Sequence, residues 1–476
     1  MTNQFNHDIC IIGAGAGGLS IAAGASQLGL KVALIEADKM GGDCLNYGCI
    51  PSKAILASAK HYYAAQHTKQ YGFTATVEPV SIKEIMQQAK LIIKKIEPHD
   101  SIERFTNLGV DVYTGVASFI NKNSVQVNDI LLSAKYFVLA TGSSPVIPQI
   151  KGLDGTKYFT NETIFGLEET PEHLLVLGGG PIGAELAQAF IMLGVKVTLI
   201  TTNRLLVKDA ADLVAILRAQ MLGQGLNLYE NVKIIEVIRS KDNIEIVIQQ
   251  NDKEIRVCGS HLLLATGRVP NIDKLNLAIA GVEATPKGVS VDKRLRTSNK
   301  KIFAVGDVIG GYQFTHVAGY HAGIVIRNIA FRQWAKVNYT AVPWVTYTYP
   351  ELAHVGMHLE SAQEKFGTAK VYVFEFEYSE NDRAQVERTT LGKIKLITTQ
   401  RGKVLGVSIL GASAGELLLP WVDMINRGES VKELIKNIVP YPTLSDLNKQ
   451  VVGEFYKPIL FSPKVRQLVK FLKIFW

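Results

Sequence analysis

Apolar residues along the chain follow one pattern that occurs twice. Residues 8–36 read DICIIGAGAGGLSIAAGASQLGLKVALIE and residues 173–201 read HLLVLGGGPIGAELAQAFIMLGVKVTLIT. Each opens with an apolar run of strand length and passes through G-x-G-x-x-G. A helix rich in small residues follows, then a Leu-Gly turn and a second apolar strand. Shorter apolar runs end at VLATGSSP (residues 138–145), LLATGRVPN (residues 263–271) and IFAVGDV (residues 302–308). The first two read as chain crossings between two nested domains. Ile9 to Leu30 is uncharged and long enough to span a bilayer. No Lys or Arg precedes it, and its glycines are patterned, which argues against a signal peptide or membrane helix.

Two such units, each strand–turn–helix–strand, point to two dinucleotide sites. Gly13, Gly15 and Gly18 correspond to Gly178, Gly180 and Gly183. Glycines there permit a tight turn, close backbone approach to a pyrophosphate and close helix–strand packing. The helix N-terminus then offers free N–H groups and a favourable dipole to the phosphates. The copies differ after the second strand. Glu36 ends the first copy, where an acid accepts hydrogen bonds from ribose hydroxyls. The second copy has Thr201, Thr202, Asn203 and Arg204 instead. Without an acid a 2′-phosphate is not repelled, and Arg204 is either an attractor for one or a solvated loop charge. The second site therefore leans to NADP(H) over NAD(H).

Composition narrows the class. The 476 residues are 47% hydrophobic and 20% charged, which excludes a disordered or collagen-like chain. The excess of 51 basic over 43 acidic residues is mild, and the body of the chain has no basic block with interleaved aromatics, so nucleic acid is not an expected partner. Four cysteines are too few for a disulfide-built secreted scaffold. Two of them, Cys44 and Cys49, lie in GGDCLNYGCIPSK (residues 41–53) just after the first unit. No further zinc ligands are offered at metal spacing, so a reversible redox disulfide is the better reading. Cys10 and Cys258 read as structural or incidental thiols.

These motifs together resemble the FAD-dependent pyridine nucleotide-disulfide oxidoreductases, over nearly the whole chain, on the mercuric reductase-like and dihydrolipoamide dehydrogenase-like side. The resemblance implies an α/β fold of two nested Rossmann-like domains plus a C-terminal α+β dimerisation domain. Expected boundaries are 1–148 with 266–340 for FAD, 149–265 for NAD(P), 341–456 for the interface domain and 457–476 for a basic tail. VTYTYPELAHVG (residues 345–356) and GKVLGVSILGASAGELL (residues 402–418) read as strands and a helix start of the interface domain. The resemblance further implies that Cys49 pairs with the flavin, that Cys44 attacks an external acceptor, and that Lys53 and Glu185 form a pair beside the flavin. Glu185 is also expected in the first turn of its helix, where the dipole alone favours an acid. Gly42, Ala117, Thr141, Gly142, Asp307, Thr315 and Gly267 are the further expected cofactor contacts. His316, in QFTHVAGYHA, is either a residue near the flavin or, as a His there more often is, a satisfied packing residue.

Departures from the family pattern bear on the substrate. The terminal YPTLSD carries Tyr441 and Asp446 where the lipoamide and glutathione enzymes have a His–Glu pair acting on the other subunit's disulfide. A phenol is almost wholly protonated at neutral pH, unlike imidazole, and loss of a general base costs about 10²–10⁴-fold. Tyr at that position is similar to mercuric reductase, but the C-terminal vicinal cysteines and the N-terminal metal-binding domain of that enzyme are not found. Three functions compete: an NADPH-dependent reductase of a small disulfide, metal ion or quinone-like acceptor; an NAD-dependent dihydrolipoamide dehydrogenase; and a low-turnover redox sensor or membrane-associated electron-transfer partner. A homodimer in the cytoplasm is expected. Residues 457–476 contain five basic residues and no acid. Ser462 and Pro463 fit an N-cap and first helical position. Val465, Leu468, Val469, Leu472 and Phe475 recur at helical spacing, flanked by the basic groups. Such a segment either packs on the dimer or its own subunit, or makes peripheral contact with an anionic membrane surface.

Overall fold

A computed structural model describes residues 5–240 and 243–475. The chain divides into two compact units, one of residues 1–203 with 227–337 and the other of 204–226 with 338–476.

The first unit contains both nucleotide-type sheets. In the first sheet, strand His7–Ile12 lies between Val32–Glu36 and Ile130–Leu139, parallel to both, with Ile11 opposite Leu34 and Val138. Val110–Thr114 extends it parallel to Val32–Glu36. Ile302–Ala304 returns from far along the sequence to pair parallel with Ile130–Leu139. Strands buried on both faces need continuous apolar runs, and ICII and VALI supply them. Helix α1 (Ala16–Gln27) crosses between the first two strands, its small residues packed closely on the core. The second sheet repeats the arrangement with Asn227–Tyr229, Lys196–Ile200, His173–Leu177 and His261–Leu264, all parallel. The expected crossings meet each other: Ser143–Pro145 pairs antiparallel with Arg268–Pro270. Among the described residues no helix is long and apolar enough to cross a membrane, and Ile9–Leu30 folds as strand, turn and helix.

The second unit is built on an antiparallel sheet, in the order Pro343–Thr346, Glu351–Gly356, Val404–Gly411, Lys393–Thr399, Val371–Glu377. The stretch 345–356 is two strands, and 402–418 is a strand followed by the short helix Ala414–Leu417. Trp421 is fully buried beneath this sheet and donates its indole N–H to Asn448 Oδ1 at 2.7 Å.

Candidate active site

The first glycine turn sets the geometry of the site. Gly13 has φ +105°, and a Cβ there would lie 2.3 Å from the Ala140 carbonyl oxygen. Gly178 repeats both features, with φ +117° and 2.2 Å to the Ala265 oxygen. Gly18 and Gly183 pack as tightly against the backbone of Gly13 and Gly178. The N-termini of α1 and of its counterpart Pro181–Met192 have glycines, Gly15 and Gly180, at the cap and no side-chain cap. With no side chain capping them, these helix N-termini suit a pyrophosphate. Glu36 accepts from Ala14 N at 2.6 Å through one oxygen and from Asp38 N at 2.8 Å through the other. The carboxylate is thereby fixed at the end of its strand, with lone pairs left for ribose hydroxyls. These residues fit the adenosine end of FAD.

The cysteine segment is tied to that turn. Gly41 N donates to the Ala14 carbonyl at 3.0 Å, and a Cβ on Gly42 would sit 2.7 Å from Gly15 Cα. Cys44 lies on the short helix α2 (Gly42–Asn46), and Cys49 is the first residue of α3 (Cys49–Gln66). Both are half-buried thiols. Hydrogen bonding from Cys44, with support from the Thr315 hydroxyl at 3.3 Å and from the Lys53 charge, lowers the Cys49 thiol to about 6. Its place at a helix N-terminus acts in the same sense. Cys44, which gives the hydrogen bond and is partly desolvated, is pushed up. These effects favour the thiolate on Cys49 and the proton on Cys44.

One turn along α3, Lys53 Nζ is 2.8 Å from Glu185 Oε2. Glu185 is on α4 (Pro181–Met192), 5% exposed, at the helix's fifth position. The expectation of a first-turn acid is therefore corrected: Glu185 lies past the first turn, and its partner is Lys53.

Asp307 follows the strand Ile302–Ala304. Burial raises its pKa, opposed by Ser143 Oγ, which donates to it at 2.6 Å, and by the Arg268 charge. Arg268 is missing from the sequence-based set of residues. Its guanidinium donates to Ser143 Oγ at 2.8 Å and Ser143 O at 2.7 Å, and lies 3.1 Å from Asp43. It thus connects the crossing strands to the cysteine segment, and its signal was the Arg after Gly267 in ATGRVPN. Thr141 and Gly142 are locked to Asn271: Thr141 Oγ1 donates to the Asn271 carbonyl at 2.7 Å, and Asn271 N donates to the Gly142 carbonyl at 3.0 Å. Gly267 O accepts from Val146 N at 2.9 Å. Ala117 is buried at the start of a strand just past Gly115, whose N–H donates to the Glu36 carbonyl at 2.8 Å. Helix α5 (Thr315–Ile329) opens at the residue that contacts Cys49. His316 is exposed and stacked on Phe314, so the expected packing role is corrected. The buried histidine of this helix is His321, whose Nδ1 accepts from Gly306 N at 3.1 Å.

At the second site, Thr201 is buried behind Gly179, and Thr202 and Asn203 are exposed. Arg204 does not project freely. Its guanidinium donates to the carbonyls of Leu205, Leu206, Val207 and Asp209. In the second unit Tyr441 is exposed and donates its hydroxyl proton to Asp382 Oδ2 at 2.9 Å, which raises its pKa. Asp446 begins α6 (Asp446–Leu460). Asp382 is a second residue that the sequence did not single out, because it lies far from Tyr441 along the chain and on a separate short helix.

Residues 7–322 match the pyridine nucleotide-disulphide oxidoreductase family, and residues 342–451 match that family's dimerisation domain. A mercuric reductase of Lysinibacillus sphaericus is 34% identical over 96% of this chain and 84% of its own length. A dihydrolipoyl dehydrogenase of Bacillus subtilis is 30% identical over 92% of this chain and 96% of its own. The Cu(II) complex of the HOCl-induced flavoprotein disulfide reductase RclA from Escherichia coli superposes with a TM-score of 0.85 at 25% identity, covering 94% of this chain and 99% of that one. Cysteines polarised beside paired dinucleotide turns and agreement along nearly the whole length lead to one conclusion: the chain belongs to the pyridine nucleotide-disulphide oxidoreductases, FAD-dependent enzymes with a redox-active cysteine pair.

Proposed function

We propose that this enzyme is an NADPH-dependent reductase of a small thiophilic acceptor, a soft metal ion or a disulfide, working through Cys44 and Cys49. The observation that carries this reading is the pair of half-buried cysteines, with Cys49 against the Thr315 hydroxyl, combined with Tyr441 in place of an imidazole base. Bound FAD would supply the two-electron relay between the reduced nicotinamide and the disulfide. Cys49 keeps the thiolate, stabilised by Thr315 and the helix N-terminus. Cys44 keeps the proton until an acceptor displaces it. Lys53, held by Glu185, places a cation where negative charge accumulates on reduction. A disulfide acceptor takes two electrons and two protons, one from NADPH and one from solvent, and the Cys44–Cys49 bond re-forms.

Tyr441 hydrogen-bonded to Asp382 stays protonated at neutral pH and does not serve as the base that a dithiol donor requires. A soft metal ion needs no such base, which favours it among acceptors. Mercuric reductases among the relatives and a copper complex of a structural neighbour agree with that choice. The working unit is a homodimer in which Tyr441 acts on the other subunit's cysteines. The nucleotide preference rests on the missing acid after Ile200, since Arg204 is taken up by its own loop.

Anaerobic NADPH and NADH oxidation should be compared with Hg(II), Cu(II) and small disulfides, beside NAD-coupled oxidation of dihydrolipoamide. Faster turnover with NADPH and a soft metal ion or disulfide is expected. Rapid dihydrolipoamide oxidation would overturn the reading. Thr202→Glu should shift the preference towards NADH by at least about tenfold through repulsion of the 2′-phosphate.

A further inference from the structure

Helix α7 (Pro463–Leu472) lies beyond the family match, which ends at residue 451. Ser462 caps it, accepting from Val465 N at 3.4 Å, and Pro463 takes the first position. No residue of α7 is buried. The preceding α6 differs: Leu447, Val451, Val452 and Phe455 are in the core, and the buried stripe ends there. From Ile459 on, large apolar side chains are exposed, including Leu468 at 54%, Phe471 at 57% and Phe475 at 72%.

At the helical turn angle, Val465, Leu468, Val469 and Leu472 share one side of α7, widened by Phe471. Arg466 and Lys470 fall on the other side, with Lys464 at the margin of the apolar sector and Lys473 just past the helix end. Lys457 is paired with Glu454, whereas residues 457–476 contain no acid of their own. Apolar area opposite a polar face of Arg466, Gln467 and Lys470, basic and without an acid, is what a helix lying in the plane of an anionic headgroup layer requires. A protein partner fits less well, because lysine is depleted from interface cores.

We propose that α7 docks the enzyme on an anionic lipid surface, its apolar side in the acyl boundary and Arg466, Lys470 and Lys473 among the headgroups. α7 carries none of the residues assigned to the nucleotide sites or the cysteine chemistry, so NADPH oxidation and flavin content should not depend on it.

The test is flotation of the FAD-loaded full chain with phosphatidylcholine vesicles, with and without about one third phosphatidylserine. Binding is expected only to the anionic vesicles, falling at least about tenfold as salt rises from about 0.05 M to about 0.5 M. Leu468→Glu with Leu472→Glu should remove it, and Gln at Lys464, Arg466, Lys470 and Lys473 should weaken it at least about tenfold. Flavin spectrum and sedimentation should be unchanged in both, showing intact fold and assembly. Wild-type protein that stays in the aqueous phase would overturn the proposal. So would equal binding by the variants, or a changed oligomeric state in the Glu variant, which would make this face a contact between copies of the chain.

Discussion

Cys49 and its neighbours carry the chemistry at the scale of single residues. Its thiol is lowered to about 6 by the hydrogen bond from Cys44, the Thr315 hydroxyl and the Lys53 charge. In reduced protein the thiolate should therefore dominate above about pH 6 and disappear below it. Thr315→Val removes one stabilising hydrogen bond and should raise that midpoint, read as the pH profile of iodoacetamide alkylation in protein with Cys44→Ser as a background control. An unchanged midpoint would remove Thr315 from the account. Glu185→Gln leaves Lys53 without its buried counter-charge and should slow reduction by NADPH about tenfold or more, with flavin retained. Glu185 was legible as a site residue only through the family pattern. Its position along the sequence suited a dipole role equally well, and only its burial against Lys53 decides between the two.

At the scale of elements, the duplicated strand–turn–helix gives a matched pair of experiments. Gly13→Ala and Gly178→Ala each force a Cβ into a carbonyl oxygen from a left-handed backbone. The first should abolish FAD retention; the second should leave a yellow protein that NADPH reduces at least about 100-fold more slowly. Flavin content and stopped-flow reduction read the two outcomes separately. Helix α5 adds a pH dependence. Burial lowers His321 to about 4, so the fold holds it neutral, and an unfolded histidine near 6.5 takes the proton first. Its contribution is present above about pH 6.5 and is lost progressively as pH falls towards 4, up to about 3 kcal/mol. His321→Gln should flatten that acid slope in urea unfolding without changing the neutral plateau by a similar amount. These elements were legible because their periodicity and glycine spacing are local. The Arg268–Ser143–Asp307 network was not, since it forms where two crossing segments distant in sequence pair.

For the whole molecule, the family's dimerisation domain gives the proposed shared active site a direct test. Cys49→Ser and Tyr441→Phe should each impair a homodimer. Mixed dimers, however, contain one site with both residues intact, so random re-pairing should restore roughly a quarter of wild-type activity. Additive loss with no recovery would place Tyr441 outside the site. The chain's organisation could be read in advance because its motifs come in fixed order, whereas the acceptor could not. Tyr441 and Asp382 show why: the chemistry turns on which hydrogen bond a phenol makes, and no spacing in the sequence specifies it.

If Cys44 and Cys49 form the redox pair, electrons from NADPH must reach them. Anaerobic titration of the purified holoenzyme with NADPH, followed in the visible spectrum, addresses this most directly. A long-wavelength charge-transfer band should grow in the wild type and be absent from Cys49→Ser. Flavin bleaching without that band would mean that the cysteines are bypassed, contradicting the account.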